Sequence, residues 1–274
     1  MTDDNEDEGV RHDISASAIK THDRCPEQYR LRYVERKPGD DINKWNVVGS
    51  LIHDSIEAVL KEDPDFTNKN RLARHLKKEF YDREDTDDYD MSIVDDDLRE
   101  DGLGCMDMAA AWLCQKQPEI RGLEVKSYFE LSELKQTALA YMDVCTSNEL
   151  WDWKTGRVPD DDDEEKKRGL LIQGAFYMGA YYKEYGELPE KIRFIFLKEG
   201  EVKSFDASED NWELMMKYAR RLVSDERTGQ FRAKPSRDKC HWCSYEQFCH
   251  ASPTSIRQLQ QEIDEGNVEL WEAI

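Results

Sequence analysis

Residues 136–156 read QTALAYMDVCTSNELWDWKTG, and this stretch predicts two consecutive β-strands of one sheet. The first predicted strand covers residues 136–144 and the second covers residues 148–154, where Thr155-Gly156 ends it. Together with a further strand predicted at residues 124–131, the stretch indicates a sheet at the centre of the chain.

The second strand of this stretch has two different faces. Asp152 and Lys154 are two residues apart, so their side chains point to the same side of the strand, whereas Trp151 and Trp153 point to the other side. The pattern predicts a core strand whose charged face lines a cleft. An ordinary exposed strand edge is the alternative reading of Asp-x-Lys alone.

Asp143 lies at the end of the first strand, so pairing would bring it close to Asp152. Two carboxylates on one face repel each other unless a cation binds between them, and hard oxygen ligands are those that divalent metals prefer. Lys154 could then orient or deprotonate a water molecule and offset developing charge. These three residues are the candidate catalytic residues.

Three further residues are candidates because of their helical spacing. Gln173 and Tyr177 are four residues apart on a predicted helix, hence on one face, where they could hold the lysine or a nucleic-acid backbone; a packed amphipathic helix is the alternative. His53 is a candidate metal ligand, and its imidazole suits Mn²⁺ better than Mg²⁺. Gly49, four residues before it, would let its helix approach another backbone closely.

Four cysteines near the two ends of the chain form a candidate metal site. Cys240, Cys243 and Cys249 have the spacing C-x2-C-x5-C, a strong metal-site pattern, and the fourth ligand would be Cys25, with His241 and His250 as rivals. The spacing fits zinc and an iron–sulfur cluster equally well. The remaining cysteines lack such spacing and are expected to be buried apolar residues: Cys105, Cys114 and Cys145.

The chain is strongly acidic, because 60 Asp and Glu residues against 39 Lys and Arg residues give a formal net charge of −21. We expect this acidity to mark a halophilic archaeon or its virus, since high salt screens self-repulsion; an acidic protein with a basic partner is the alternative. No segment approaches the ~18 apolar residues of a membrane span. The acidic N-terminus lacks the pattern of a signal peptide, so we expect a cytoplasmic protein.

The order of predicted elements indicates an α/β protein. Helices are predicted at residues 18–36, 47–61, 69–82 and 98–117 before the three strands, and a helix at 164–184, strands at 192–197 and 202–205 and a helix at 209–228 after them. We expect five regions: an acidic tail at 1–13, a helical region at 14–118, an α/β core at 119–230, a cysteine-cluster region at 231–252 and a helical tail at 253–274.

In combination, these motifs resemble the RecB-type PD-(D/E)xK nucleases with an iron–sulfur cluster near their ends, a group that includes Cas4 and the AddB nuclease domain. The resemblance covers about residues 14–250. Six stretches match in order: Ser17–Tyr29 with Cys25-Pro26, Gly49–His53, Tyr141–Asp143, Asp152–Gly156, Gln173-x3-Tyr177 and Cys240-x2-Cys243-x5-Cys249.

The resemblance implies a restriction-endonuclease-like core, in which helices flank a mixed central sheet, followed by a C-terminal cluster region. It implies a [4Fe–4S] cluster on the four cysteines named above. It also implies Mg²⁺ or Mn²⁺ held by His53, Asp143, Asp152 and the backbone carbonyl of Trp153. Lys154 would be the catalytic lysine, and Gln173 and Tyr177 would support the active site and the DNA.

Members of this family cut single-stranded DNA, often as exonucleases, so the resemblance implies a metal-dependent DNA nuclease in repair, recombination, viral replication or CRISPR adaptation. A helicase or a CRISPR integrase would be its protein partner. One alternative is a non-catalytic DNA-binding or adaptor protein of the same fold, and another is a metal-bearing regulatory protein. The intact set of Asp143, Asp152 and Lys154 favours the nuclease.

Three positions differ from the family pattern or extend it. Ala140 stands where members often have glycine. An acidic insert at residues 159–165 follows Gly156, close to the expected path of DNA. Glu124 lies on the strand where members often carry an acid, which makes it a further candidate site residue.

Overall fold

The computed structural model describes residues 13–39, 43–62, 64–254 and 257, in which a helical N-terminal part precedes five strands and the helices between and after them. The helices are α1 Ala16–Arg24, α2 Pro26–Tyr29, α3 Lys44–Lys61, α4 Lys69–Glu84, α5 Asp96–Lys116, α6 Glu164–Tyr185, α7 Glu209–Thr228 and α8 Arg237–His241. The strands are β1 Ile120–Leu131, β2 Gln136–Thr146, β3 Glu149–Lys154, β4 Lys191–Phe196 and β5 Glu201–Phe205. None of the described helices combines the length and the apolar character that a membrane crossing requires.

The five strands form one mixed sheet in the order β1-β2-β3-β4-β5. All neighbouring pairs are antiparallel except β3 and β4, which are parallel. A parallel pair needs a crossover connection, and α6 supplies it. The sheet flanked by helices is the α/β architecture that the sequence predicts, and it is consistent with a restriction-endonuclease-like fold.

A hydrophobic core lies on each face of the sheet. Helices α1, α6 and α7 contribute to one core, and α3, α4 and α5 contribute to the other. Trp151 and Trp153 are each 2% exposed and belong to the second core. The alternation along β3 therefore turns Asp152 and Lys154 toward α6, as the sequence pattern predicts.

The predicted helix at residues 18–36 is wrong as a single element. Helix α1 ends at Arg24, and Cys25 adopts an extended conformation with φ −159° and ψ 111°. The residue before a proline is disfavoured in helical geometry, and Pro26 follows directly. The chain then continues through α2 and a short π-helical turn, Arg30–Val34. Helical periodicity on both sides of the break hides it in the sequence.

The other predicted elements are confirmed, with differences only in their ends. Helix α3 begins earlier than predicted because the Asn43 side chain accepts a hydrogen bond from the backbone N–H of Asn46. Strand β1 also begins earlier, at Ile120, which pairs with Thr146. The predicted N-terminal tail, apart from residue 13, and most of the predicted C-terminal tail lie outside the described residues.

Candidate active site

Two buried carboxylates lie where β2 and β3 stop pairing. The ladder ends at the pair Val144–Trp151, so Asp143 and Asp152 are the next residues on their strands. Asp143 is 8% exposed and Asp152 is 2% exposed. The Oδ2 atom of Asp143 accepts a hydrogen bond of 2.8 Å from the backbone N–H of Trp153. Burial, and then the neighbouring Asp152 carboxylate, raise the pKa of Asp143 well above its ordinary value.

A network on α6 orients the Asp152 carboxylate. Its Oδ1 atom accepts hydrogen bonds from the Tyr177 hydroxyl at 2.7 Å and from Gln173 Nε2 at 2.9 Å. Its Oδ2 atom lies 2.6 Å from Lys154 Nζ in an ion pair. That oxygen is buried and accepts no hydrogen bond from any described residue. Burial and the Asp152 charge raise the pKa of Tyr177, so its hydroxyl remains a donor.

Lys20 on α1 also belongs to this network, although sequence reasoning missed it. Its Nζ atom donates a hydrogen bond of 2.9 Å to Gln173 Oε1, and Lys154 Nζ donates to the same oxygen at 3.1 Å. Burial, followed by repulsion from Lys154, lowers the pKa of Lys20 to about 8, while Asp152 opposes this shift. A lysine on an amphipathic helix gives no sequence signal of this contact.

His53, Glu124 and Asp143 form a candidate metal site. Each offers one ligand atom, and these atoms all lie within 4.8 Å of one another. The Nδ1 atom of His53 is 3.3 Å from Asp143 Oδ2. Helix α3 supplies the histidine, while β1 and β2 supply the two acids.

Glu124 reaches this trio from an unusual backbone conformation. Its φ is +44°, a left-handed value that side chains other than glycine rarely adopt within a strand. Its neighbours pair regularly, Leu123 with Val144 and Val125 with Met142, so Glu124 stands opposite Asp143. Burial, and then the Asp143 charge, raise the pKa of Glu124 to about 7. The sequence indicated Glu124 only as an acidic residue on β1, the strand that pairs with β2, where Asp143 lies.

The trio fits a divalent cation. One imidazole and two carboxylates are a donor set that Mn²⁺ accepts, and a cation would relieve the burial cost and the repulsion that together raise the pKa of both acids. Asp152 lies outside the trio but next to Asp143, and its buried Oδ2 atom, which is ion-paired to Lys154, is a further oxygen that could bind a cation. The backbone N–H of Trp153 donates a hydrogen bond to Asp143 at this centre, and metal coordination by the Trp153 carbonyl stays a prediction.

Clefts open on both sides of the carboxylate pair. One, of about 670 Å³, lies beside α3 and is lined by His53, Glu124 and Asp143 among others. The other, of about 450 Å³, lies beside α1 and α6. It contains five basic and two acidic residues: Lys20, Arg24, Lys154, Arg157, Lys166, Asp23 and Glu165. The second cleft is therefore locally basic in a strongly acidic protein.

Gly49 allows α3 to come close to the end of β3. A Cβ atom on Gly49 would lie 3.3 Å from Thr155 Oγ1, so a larger residue would press on Thr155. The predicted close approach is thus present, and it is made against a side chain rather than a backbone. It places His53, one turn later, beside Asp143.

The four cysteines of the candidate cluster site line one small cavity of about 30 Å³. Cys25 comes from the break after α1, whereas Cys240, Cys243 and Cys249 come from α8 and the turns that follow it. The backbone N–H of Lys234 lies 3.4 Å from the Cys25 sulfur. His241 and His250 do not line this cavity. Of the other cysteines, Cys105 and Cys145 are buried as expected, but Cys114 is only partly buried.

Comparison with known proteins identifies the family of this chain. The family model described as the PD-(D/E)XK nuclease superfamily matches residues 13–250. A solved structure of a candidate exonuclease from Eubacterium rectale is 14% identical, with 85% of this chain and 89% of that chain covered and a TM-score of 0.51. The structure of SSO0001 is 14% identical, with 87% and 86% covered and a TM-score of 0.42. No curated protein sequence matches.

Proposed function

This chain belongs to the PD-(D/E)XK nuclease superfamily, and from its site geometry we propose that it is a metal-dependent DNA nuclease. The observation that carries the proposal is the junction at the end of the β2–β3 ladder. There, Asp143 and Asp152 are buried side by side, and Lys154 is ion-paired to Asp152 at 2.6 Å. Structural roles alone do not explain two carboxylates buried together, because their repulsion destabilises the fold.

Each residue of the site has a role in phosphodiester hydrolysis. His53, Glu124 and Asp143, with Asp152 beside them, would hold Mg²⁺ or Mn²⁺, which supplies Lewis-acid stabilisation of charge on a phosphoryl oxygen. Lys154 would stabilise developing negative charge or orient the attacking water. Gln173 and Tyr177 fix the positions of Lys154 and Asp152 through hydrogen bonds, which preserves the geometry that the reaction requires.

The basic cleft beside α1 and α6 is the proposed path of the DNA backbone. Lys20 and Lys154 line it, and phosphates would favour their charged forms. The acidic insert borders the cleft: Glu165 is within 2.6 Å of Lys239 and 3.9 Å of Arg24. These ion pairs neutralise part of the insert, and high salt of the kind expected in a halophile would screen the rest.

The family resemblance favours a [4Fe–4S] cluster over zinc at the cysteine cavity, and both groups accept four thiolate ligands. All four candidate ligands line this one cavity, which is the arrangement that a shared metal centre requires. A cluster there would join Cys25 to a segment more than 200 residues later.

The family resemblance supports finer assignments: single-stranded DNA or DNA ends as substrate, exonucleolytic cleavage, and a helicase or CRISPR integrase as partner. One assay tests the assignments of substrate and cleavage mode. The protein, purified anaerobically, would be incubated with labelled linear single-stranded, linear duplex and circular single-stranded DNA in Mg²⁺, Mn²⁺ or EDTA, from low to high KCl. We expect metal-dependent loss of linear single strands and survival of circles. Cleavage of circles would identify an endonuclease.

No cleavage under any of these conditions, by folded protein that retains its iron and sulfide, would overturn the proposed activity. It would favour the alternative, a DNA-binding or adaptor protein with the same fold. Cleavage that persists in EDTA would overturn the metal assignment instead.

A further inference from the structure

Two exposed tyrosines lie on β1 and β2, the strands that carry Glu124 and Asp143. Tyr128 is 44% exposed and Tyr141 is 49% exposed. The ammonium of Lys126 lies between them, 5.1 Å from the centroid of the Tyr128 ring and 5.7 Å from that of Tyr141. We call these three residues the stacking surface. Two solvent-facing rings that share one cation form an arrangement of the kind that binds nucleobases and phosphates together.

The stacking surface occupies one face of the β1–β2 pair. Lys126 pairs directly with Tyr141, and Tyr128 is two residues further along β1, so all three side chains point to the same side. Ser127 and Phe129, which alternate with them, are buried on the opposite face. The exposure of the rings is therefore set by the register of the strands.

The stacking surface adjoins the metal trio. Asp143 is two residues after Tyr141 on β2, and Glu124 is two residues before Lys126 on β1. Tyr141 also lines the cleft that contains His53, Glu124 and Asp143. Trp45, 58% exposed, lines that cleft from α3. A strand of nucleic acid whose phosphate lay at the metal trio could thus continue onto the stacking surface.

We propose that Tyr128, Lys126 and Tyr141 bind single-stranded DNA by stacking on two of its bases next to the cleavage site. This inference rests on the proposed nuclease function and adds the surface that selects the substrate. A base in a duplex is already stacked and paired, so its faces are not available to these rings, whereas every unpaired base offers a π-face. Lys126 supplies a positive charge for the backbone in a protein whose net charge is −21.

The surface has a defined outer end. Beyond Tyr128 on the same face, Glu130 accepts a hydrogen bond of 3.1 Å from the hydroxyl of Thr137. The Glu130 carboxylate repels phosphate, so the contact between the stacking surface and the DNA is restricted to a short segment of the DNA strand. The inferred contact therefore covers about two bases, one on each ring.

Binding without cleavage tests the inference. The probes are fluorescein-labelled (dT)12, the same strand with abasic sites at its central positions, and a 12-base-pair duplex, measured by anisotropy in EDTA. The parent is compared with the Tyr128→Ala/Tyr141→Ala double variant and with Tyr141→Phe. Tyr182→Ala is the matched control, because Tyr182 is a 57% exposed tyrosine on α6. Circular dichroism verifies that each variant is folded.

We expect the parent to bind (dT)12 about 10-fold or more tightly than the abasic strand and the duplex, since each base stack contributes substantially. The double variant should lose about 10-fold or more of its affinity for (dT)12 but little of its affinity for the abasic strand. Tyr141→Phe should bind like the parent, because a phenyl ring stacks as well as a phenol. Tyr182→Ala should also bind like the parent, because Tyr182 lies on α6, outside the stacking surface.

Equal affinity of the parent for (dT)12 and the abasic strand, or equal affinity of the parent and the double variant for (dT)12, would overturn the stacking surface. If the parent still cleaves DNA in the metal-dependent assay, the nuclease proposal survives that result. A parent that neither binds (dT)12 nor cleaves any DNA overturns both proposals. Preference for (rU)12 over (dT)12 would overturn the assignment to DNA.

Discussion

Lys20 and Lys154, which come from different parts of the chain, donate hydrogen bonds to the same atom, the side-chain oxygen of Gln173, at 2.9 and 3.1 Å. The two ammonium groups repel each other, and this repulsion together with burial lowers the pKa of Lys20 to about 8. Like-charged groups held together in a cleft form a site for an anion, and a DNA phosphate would favour the charged form of both lysines.

The first prediction concerns the pH dependence of DNA binding. Because phosphate favours charged Lys20 and the free group titrates near pH 8, affinity for DNA should fall as the pH rises through about 8. Lys20→Arg should bind with little change up to pH 9, since an arginine stays protonated. Fluorescence anisotropy in EDTA measures both. A parent curve that is flat from pH 7 to 9 would contradict this role of Lys20.

The second prediction concerns the stability cost of the same lysine. Its pKa is about 8 in the folded protein and near 10.5 when unfolded, so its charge destabilises the fold below pH 8, and this effect disappears as the pH rises toward 10.5. Lys20→Met should therefore unfold at higher urea concentration than the parent at pH 7. The gain should shrink by pH 10. Destabilisation by Lys20→Met at pH 7 would be the contrary result.

The third prediction concerns the hydroxyl of Tyr177. Tyr177→Phe removes the 2.7 Å hydrogen bond to the buried Asp152 carboxylate. We expect the free energy of unfolding in EDTA to fall by about 1.5–3 kcal/mol, the usual value for a hydrogen bond to a charged group. Tyr182→Phe, on the exposed part of α6, is the control and should change it little. Equal stability of both variants would mean that the hydroxyl does not support Asp152.

The fourth prediction concerns the candidate metal trio. His53→Ala and Glu124→Gln should each weaken Mn²⁺ binding, measured by titration calorimetry, about 10-fold or more, because each removes one ligand. Glu57→Gln is the matched control: Glu57 lines the same cleft but is not part of the trio. If Glu57→Gln weakened binding as much as Glu124→Gln, the effect would be the loss of general negative charge, and the trio would not be the site.

The fifth prediction concerns the cysteine cavity. Cys25→Ser should lower the iron and sulfide content and reduce the melting temperature by about 5 °C or more, because a bound cluster that joins distant segments stabilises the fold. Cys105→Ser, which alters a buried cysteine outside the cavity, should keep full iron content. If the Cys25→Ser protein retained all its iron, the assignment of Cys25 as the fourth ligand would be wrong.

The sequence predicted most of the fold because its periodicities are local. The alternation of Trp151, Asp152 and Trp153 determined which side of β3 is charged, and the structure has the same alternation. The break at Cys25 was missed because helical spacing continues on both sides of it. Pro26 did indicate a break, because the residue before a proline disfavours helical geometry.

The candidate site was less accessible to sequence reasoning, because tertiary contacts between distant elements build it. Asp143, Asp152 and Lys154 could be grouped through strand pairing, and Gln173 and Tyr177 through helical spacing. The contact between Lys20 and Gln173 depends on how α1 docks against α6, which no local pattern encodes. Likewise, the left-handed backbone of Glu124 directs its side chain to His53 and Asp143, and glutamate gives no indication of such a conformation.

The most direct test of the account is the single-turnover rate of single-stranded DNA cleavage in Mn²⁺ by the parent, Lys154→Ala and Lys203→Ala. Lys203, on β5, is the control lysine, because it belongs to the sheet but lines neither cleft. We expect Lys154→Ala to stay folded and to cleave at least about 100-fold more slowly, because loss of one group that stabilises transition-state charge has an effect of this size. Lys203→Ala should cleave like the parent. Cleavage by Lys154→Ala at the parental rate would contradict the assignment of the active site.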